Sequence, residues 1–263
     1  MIRLPISGLH ARWRAAHGFD DIALAEIAGG LGAAVAFAAR AVVDPDGTPL
    51  DVVSLPVGDV DVLIVERRRE LLGDGFVAEG ACLSCGVAVD IHFSLAEYCA
   101  HRAPKSSRAA HRADDSSWWQ LRGRAVSFRV PTAADVLVAS GSADGRAELT
   151  RRCVRGDVDP RTRRALLRAM ETVGPTMRAE VAGRCPECAA AVVLDVDARE
   201  LCLTELRFLA RGVHGDVHVI AATYHWTEDA ILALPSTRRT DYAALIRDGR
   251  ATRRSVPQAV QID

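Results

Sequence analysis

The sequence contains almost no lysine and no long apolar run. Lys105 is the only lysine among 33 basic residues, so arginine carries nearly all of the positive charge, a bias typical of a GC-rich genome. The 263 residues have a net charge of −1, and this balance does not call for nucleic acid or an anionic membrane as a partner. No stretch approaches the roughly 20 apolar residues that a membrane-spanning helix needs, so no membrane partner is expected.

Motifs that identify the common enzyme classes are also missing. The chain has no Ser/His/Asp constellation, no glycine-rich phosphate loop and no HExxH motif. Its acidic residues are scattered over segments that we predict to be helix surfaces. We therefore expect a protein that is not an enzyme and has no small-molecule substrate.

Six of the seven cysteines form two copies of one pattern, C-x2-C-x13-C. In order they are Cys82, Cys85 and Cys99, then Cys185, Cys188 and Cys202. Val89 and Val192 coincide when the two copies are aligned, as do Glu97 and Glu200. The matched spacing indicates an internal duplication of a knuckle, a strand and the start of a helix.

Each CxxC pair is predicted to form a knuckle, a tight turn in which two thiolates point at one cation. One knuckle supplies half of a tetrahedral shell, so two knuckles complete a four-thiolate site. The pattern therefore predicts a structural Zn²⁺ held by Cys82, Cys85, Cys185 and Cys188. An iron–sulfur cluster uses the same ligands and stays open as an alternative.

A redox role for the CxxC pairs is the second alternative. A thioredoxin-type pair normally lies between a strand and a helix, whereas apolar, β-branched runs follow both pairs here. Disulfides would require an oxidising compartment, but residues 1–8 have no apolar leader region or cleavage site. We therefore expect a reducing, cytoplasmic location.

The remaining cysteines and one histidine are interpreted as structural residues. Cys99 and Cys202 are predicted to be small core residues in the first turn of a helix, because four thiolates already complete the metal shell. Cys153 is predicted to lie in the core as well. His92 falls on the opposite face of its strand from the apolar residues and is predicted to be solvated.

The fold predicted from the sequence is α+β: a mostly helical chain with two CxxC zinc-knuckle β-hairpins joined in one zinc-ribbon-like site. The expected segments are an N-terminal helical region (1–75), the first knuckle and hairpin with a polar loop at 100–117 (76–131), a helical connector (132–183), the second knuckle, hairpin and C-terminal helices (184–249), and a disordered tail (250–263). Asp159 and Thr227 are predicted helix caps, and Pro131-Thr132 is predicted to start a helical region.

Several finer expectations concern individual elements. Asp20 or Asp21 is expected to cap a helix that ends near residue 28. Residues 124–130 are expected to pair with the strand at 86–93, across the exposed loop at 100–117. A long helix is expected from Arg199 to His214, with four leucines facing inward: Leu201, Leu203, Leu206 and Leu209.

The order of motifs over roughly residues 50–247 resembles the T4-type baseplate protein family of contractile phage tails and related contractile injection systems. The motifs are Leu-x-Gly-Asp-Gly-Phe76, the first CxxC-Gly, Val-Ser-Phe-Arg-Val-Pro-Thr132, an Asp-Pro helix, Cys-Pro-x-Cys188, and Tyr224-His-Trp-Thr-Glu-Asp followed by an Arg-Arg-x-x-Tyr242 helix. Members of the family usually have glycine after the second CxxC, where this chain has Ala189.

The resemblance implies a subunit of the baseplate or its hub, or a factor that assembles it. Its partners would be other baseplate and tail-tube proteins, and the chain would be incorporated into the particle or assemble it in the cytoplasm. Tyr224, His225 and Trp226 are candidates for a protein contact or for a buried hinge between two helices. A zinc-ribbon nucleic-acid-binding module is a competing class, since Trp118 and Trp119 follow a basic loop; the acidic residues near the knuckles argue against it.

Overall fold

The structure, a computed structural model, describes residues 1–113 and 117–254, and in this range the protein is a mixture of α-helices and β-strands. The helices are α1 (Gly18–Glu26), α2 (Leu31–Ala41), α3 (Val57–Leu72), α4 (Leu95–His101), α5 (Ala133–Ser140), α6 (Gly145–Cys153), α7 (Pro160–Val173), α8 (Ala198–Ala210), α9 (Gly212–Tyr224), α10 (Glu228–Leu232) and α11 (Ser236–Arg254). The strands are β1 (Ile2–Arg3), β2 (His10–Trp13), β3 (Val42–Val43), β4 (Gly75–Ala81), β5 (Ala88–Ser94), β6 (Ala110–Arg112), β7 (Trp118–Leu121), β8 (Ser127–Arg129), β9 (Val154–Arg155), β10 (Arg178–Arg184) and β11 (Ala191–Asp197).

The chain divides into two compact units that are both discontinuous in sequence. Unit 1 comprises Met1–Arg12 and Gly29–Thr204, and unit 2 comprises Trp13–Ala28 and Glu205–Asp263. The segments expected from the sequence were continuous, because a sequence pattern shows where elements begin and end but not which distant elements pack together. Both predicted knuckles belong to unit 1.

The strands of the described residues form four separate sheets. The strand orders are β1-β2-β3, β6-β7-β8-β9, and two hairpins, β4-β5 and β10-β11. The four-stranded sheet packs on α7 through a cluster of apolar side chains that includes Phe128, Leu121 and Leu166. Asp159 begins α7, where its side chain accepts a hydrogen bond from the backbone N–H of Thr162, as its Asp-Pro sequence predicts.

The two hairpins are copies of one another in register. Gly75 pairs with Ser94 at the open end of the first, and Arg178 pairs with Asp197 at the open end of the second. Every strand boundary in the second copy lies 103 positions after its counterpart, the same offset that separates Cys82 from Cys185. The internal duplication inferred from the cysteine spacing therefore extends over both strands of each hairpin.

The helix that follows each hairpin begins in the same way. The Ser94 hydroxyl accepts a hydrogen bond from the Glu97 N–H, and the Asp197 carboxylate accepts one from the Glu200 N–H, both at 3.1 Å. These side chains satisfy N–H groups that the first turn of a helix leaves without a partner. The duplicated pattern thus continues into α4 and α8.

Unit 2 packs its helices around a small apolar core and a buried ionic group. Ile220, Ile231, Ala243 and Ile246 form the core. Asp216 is buried and binds two arginines of α11, with Arg239 Nε at 3.2 Å from one carboxylate oxygen and Arg247 Nη2 at 2.8 Å from the other. Hydrogen-bonded ion pairs of this kind offset the cost of burying a carboxylate.

The strand pairing expected for residues 124–130 was wrong. β8 (Ser127–Arg129) pairs with β7 and β9, while β5 pairs with the strand immediately before its knuckle, β4. Period-two alternation identifies a strand but not its partner, and the knuckle itself supplies the short connection that an antiparallel pair needs. The strand β4 was not predicted from the sequence.

The polar loop at 100–117 contains regular structure. Residues 110–112 form β6, which pairs with β7 through Ala110 and Leu121, and residues 114–116 lie outside the described range. In the segment expected to be a disordered tail, residues 250–254 belong to α11, and residues 255–263 lie outside the described range.

Three predictions about helices need correction. The first helix is capped at His17, with Asp20 at its third position closing a capping box. The long helix expected at 199–214 is divided between α8 and α9 near Arg211. Leu201 and Leu209 are exposed instead of facing inward. By contrast, Thr227 caps α10 as predicted, and the helix predicted to start at Thr132 is α5, which Thr132 caps.

The expectation that acidic residues cover helix surfaces was wrong for five aspartates, which are buried: Asp20, Asp59, Asp61, Asp135 and Asp216. Asp59, for example, accepts hydrogen bonds from the backbone N–H groups of Ile6 and Ser7. An aspartate inside a helical pattern gives no local signal that a distant backbone segment will dock on it.

Candidate metal centre

The first knuckle is a turn that the backbone closes with two hydrogen bonds. The Cys82 N–H donates to the Val87 carbonyl, and the Gly86 N–H donates to the Cys82 carbonyl, both at 2.8 Å. Gly86 has a φ of 77°, in the left-handed region that glycine adopts without a steric penalty. This turn joins β4 to β5 and carries Cys82 and Cys85.

The second knuckle repeats this geometry with one different residue. The Cys185 N–H donates to the Ala190 carbonyl at 2.9 Å, and the Ala189 N–H donates to the Cys185 carbonyl at 3.0 Å. Ala189 has a φ of 57°, so an alanine stands in the left-handed conformation that Gly86 adopts in the first copy. The loss of glycine therefore leaves the turn itself unchanged.

All four CxxC sulfurs converge on one point. Their Sγ atoms all lie within 4.8 Å of one another. The sulfurs of Cys82 and Cys188 are 3.6 Å apart, as are those of Cys85 and Cys185. Each close pair joins one cysteine of the first knuckle to one of the second, across sequence separations of 106 and 100 residues.

The floor of this site is apolar. Cys82 and Cys185 are buried in a cluster with Val89 and Val192, and Ile91, Ala190 and Leu194 pack against it. Cys85 and Cys188 are exposed. The site therefore lies at the edge of unit 1, where a metal ion can enter from solvent.

The sulfur geometry suits one tetrahedral ion. Four thiolates at 2.3 Å from a single ion lie about 3.8 Å from each other, close to the observed 3.6 Å separations. In a polynuclear iron–sulfur cluster the four thiolates are shared among different irons and lie farther apart. The spacing therefore favours a mononuclear site over a cluster.

The pKa values of the knuckle thiols are also consistent with a cation-binding site. The backbone N–H groups of Cys85 and Ser84 lower the pKa of Cys82 to about 7. The N–H of Val87 acts in the same direction on Cys85, but the neighbouring thiols of Cys188 and Cys185 raise the pKa of Cys85 to about 12. The thiolate of Cys82 is thus stabilised, whereas ionisation of Cys85 is unfavourable beside the other thiols. A bound divalent cation would attract the negative charges and so favour ionisation of all four thiols.

The other three cysteines do not join the cluster. Cys202 is fully buried in α8, and Cys99 is half-buried at the equivalent place in α4, where burial raises its pKa to about 12. Cys153 is buried, and burial raises its pKa to about 11. Cys202 and Cys153 are buried as predicted, whereas Cys99 is only half-buried. Cys99 and Cys202 each lie at the fifth position of their helix, not in its first turn. His92 is exposed on β5, as predicted.

The aromatic residues predicted to form a contact or a hinge lie at the end of α9 and just beyond it. Tyr224 and Trp226 are 40% and 39% exposed, and His225 is exposed with a φ of 56°. The rings of Tyr224 and Trp226 pack against each other and against Tyr242, with ring centroids 5.3 to 6.1 Å apart. The group is therefore a partly exposed aromatic cluster of unit 2.

The close packing of the two hairpins was not predicted from the sequence. A Cβ atom on Gly80 would lie 2.3 Å from Leu194 Cδ2, and one on Gly183 would lie 3.1 Å from Ile91 Cδ1. Gly80 and Gly183 occupy equivalent positions in the two copies, so a glycine repeated inside both strands was the signal of close approach.

Comparisons with known proteins identify no family for this chain: a scan of protein-family models, a search of curated proteins and a search of solved structures each returned no match. Within residues 1–113 and 117–254, no helix combines the length and apolar character needed to cross a bilayer.

Proposed function

We propose that the chain is a metal-clamped structural protein in which Zn²⁺ binds Cys82, Cys85, Cys185 and Cys188. The observation that carries this proposal is the convergence of four thiols from two distant knuckles within 4.8 Å. The two hairpins would form one zinc-ribbon-like unit around the ion. Because binding free energy becomes folding free energy, a structural zinc contributes on the order of 10 kcal/mol to holding such segments together.

A structural role follows from the ligand set. Four thiolates close the tetrahedral shell and leave no position for a substrate or a reactive water, whereas catalytic zinc sites keep one position open. Both CxxC pairs lie in turns between strands, not at the start of a helix where a reactive thiolate is usually stabilised. We therefore propose a protein that is not an enzyme.

The biological setting that we propose is the baseplate or hub of a contractile phage tail or contractile injection system. This part of the proposal is supported by the sequence resemblance over roughly residues 50–247. The chain would act as a subunit of the baseplate, or as a factor that assembles it, and would bind other baseplate and tail-tube proteins. A protein held rigid by a metal clamp suits such a role, because assembly requires surfaces of fixed shape.

The metal clamp is tested by native mass spectrometry of untagged protein, combined with thiol titration before and after chelation. We expect one zinc per chain and four thiols that react only after the metal is removed. The matched control is a Cys99→Ser chain, which should keep its zinc because Cys99 lies outside the cluster. Absence of metal, with pairs that readily form disulfides, would refute the clamp and favour a thiol oxidoreductase.

The baseplate assignment requires a separate test. We expect the chain, or its assembly products, in particles purified from the source cells, and deletion of its gene to leave tail tubes without baseplates in electron micrographs. Normal particles after deletion would contradict the assignment while leaving the metal site intact.

A further inference from the structure

A groove lined mainly by apolar side chains lies between α5, α6 and α7. Its volume is about 1120 Å³. Leu166 is buried at its base, and Val136, Leu149 and Met170 are half-buried along its walls. Leu167 lies at its edge with 56% of its surface exposed. Contiguous apolar surface of this kind marks a site of interaction.

The rim of the groove is positively charged. Arg146 and Arg163 line it, and neither forms an ion pair with another residue of the described chain. Arg151 also lines it but is paired with Glu148. The one acidic lining residue in the described range, Asp144, is engaged as the cap of α6, where it accepts a hydrogen bond from the Ala147 N–H.

One face of α7 forms a wall of the groove. Arg163, Leu166, Leu167 and Met170 line the groove at the helical spacing i, i+3, i+4 and i+7, so the arginine and the apolar side chains share this face. The groove therefore combines an apolar surface with two arginines at its rim, Arg146 and Arg163, for which no ion pair occurs among the described residues.

We propose that this groove binds an acidic amphipathic α-helix of a partner protein. A helix that presents apolar residues at positions i, i+3, i+4 and i+7 fills an apolar groove, and glutamate or aspartate beside that stripe would meet Arg146 and Arg163. Nucleic acid or an anionic lipid surface would match the arginines but would leave the apolar floor unfilled. The inference deepens the proposed assembly role and rests on it.

Binding is tested with a synthetic probe on the full-length, metal-loaded chain. The probe is a fluorescent peptide of about 18 residues with leucine at the helical stripe and glutamate elsewhere. Its control has lysine in place of every glutamate, and vesicles containing phosphatidylglycerol test the lipid alternative. We expect saturable binding of the glutamate peptide, at least about tenfold tighter than binding of the lysine peptide or the vesicles.

Variants locate the binding site. Leu167→Asp and Arg163→Glu should each weaken binding of the glutamate peptide about tenfold or more, because they place a carboxylate on the floor edge or the rim. Both residues are exposed, so we expect the variants to fold. Leu245→Asp is the matched control, since Leu245 is a helical leucine that is 65% exposed and does not line the groove.

The possible outcomes test the groove proposal and the zinc-site proposal independently. Unchanged binding in Leu167→Asp, equal affinity for the lysine peptide, or stronger binding to vesicles would overturn the groove proposal. If the glutamate peptide fails to bind a chain that contains one zinc, the groove proposal is rejected and the zinc-site proposal is retained. If the peptide binds a chain that never takes up zinc, the zinc-site proposal is rejected and the groove proposal is retained.

Discussion

Gly80 faces Leu194, and the absence of a side chain on the glycine lets the two hairpins approach closely. The Cβ position of Gly80 lies 2.3 Å from Leu194 Cδ2. The same relationship occurs again between Gly183 and Ile91, which hold the equivalent places in the opposite copies. The contacts are therefore reciprocal, as expected for an interface between two similar halves.

The sulfur contacts are reciprocal in the same way. Cys82 is close to Cys188, and Cys85 is close to Cys185, so exchanging the two copies exchanges the two sulfur pairs. The duplicated hairpins thus face each other as the subunits of a two-fold dimer do, but within one chain. Three predictions follow from this arrangement.

The first prediction concerns the space at Gly80. Gly80→Val should destabilise the metal-loaded protein by about 1–3 kcal/mol, because the added side chain would collide with Leu194. Gly75→Val is the matched control: Gly75 lies in the same strand, and its Cβ position has no atom within 4 Å. Urea unfolding measures both. Equal midpoints for the two variants would contradict the close approach.

The second prediction concerns the two knuckle turns. Gly86→Ala should cost about 0.5 kcal/mol, because the strain on alanine in the left-handed region is partly offset by the lower freedom of alanine in the unfolded chain, and its Cβ would meet no neighbouring atom within 4 Å. Ala189→Gly should have the opposite sign. It relieves the same strain, and the greater freedom of glycine in the unfolded chain reduces the net gain to about 0.5 kcal/mol.

Thermal unfolding of the metal-loaded variants checks this pair. The expected order of melting temperatures is Ala189→Gly above the unmodified chain, and Gly86→Ala below it. A lower melting temperature for Ala189→Gly would show that the alanine makes a favourable contact that outweighs its strain.

The third prediction uses the self-complementarity of the first hairpin. A Cys185→Ser/Cys188→Ser chain keeps Cys82 and Cys85, together with both members of the reciprocal contact, Gly80 and Ile91. Two such chains can pair their first hairpins around one ion once the second hairpin, which no longer supplies thiols, is displaced from Gly80 and Ile91. We expect added zinc to produce a dimer with one zinc per two chains.

Analytical ultracentrifugation with metal analysis tests this expectation. The control chain has all four knuckle cysteines changed to serine and should stay monomeric with or without zinc. A monomer of the two-serine chain that holds its own zinc would show that a single knuckle recruits ligands from elsewhere, and would contradict the dimer prediction.

Local features of the fold were predictable because their causes are local. Thr132, Asp159 and Thr227 each satisfy N–H groups within three residues, so a short stretch of sequence contains the whole interaction. The knuckle cysteines were similarly predictable as one group, because C-x2-C fixes two thiols in one turn and two such turns complete one shell. Metal binding by that group stays a prediction.

Features that depend on distant packing were not predictable. The alternation in residues 124–130 identified a strand, but its partners were determined by the sheet that packs on α7. The burial of Asp61 gave no local signal either, because its partners are Met177 and Arg199, more than a hundred positions away. Such side chains become recognisable only when the tertiary structure is known.

Asp61 gives the last prediction. Its carboxylate accepts hydrogen bonds from the Met177 N–H at 2.9 Å and from Arg199 at 3.3 Å, and burial raises its pKa to about 6 from an ordinary value of 3.8. The folded protein therefore binds this proton more tightly than the unfolded chain does. The contribution of Asp61 to stability is greatest below about pH 4 and falls as the pH rises through about 6, by about 3 kcal/mol in total.

Asp61→Asn should remove this contribution, because asparagine does not titrate. The stability of the unmodified chain relative to the variant should fall by roughly 2 kcal/mol between pH 4 and pH 7, since part of the total change lies below pH 4. Urea unfolding at several pH values measures this difference, and loss of metal in acid cancels because it affects both chains. Asp46→Asn, in an exposed turn, should give a difference that does not vary with pH. A relative stability of Asp61→Asn that is flat or opposite in slope would mean that Arg199 keeps Asp61 ionised throughout.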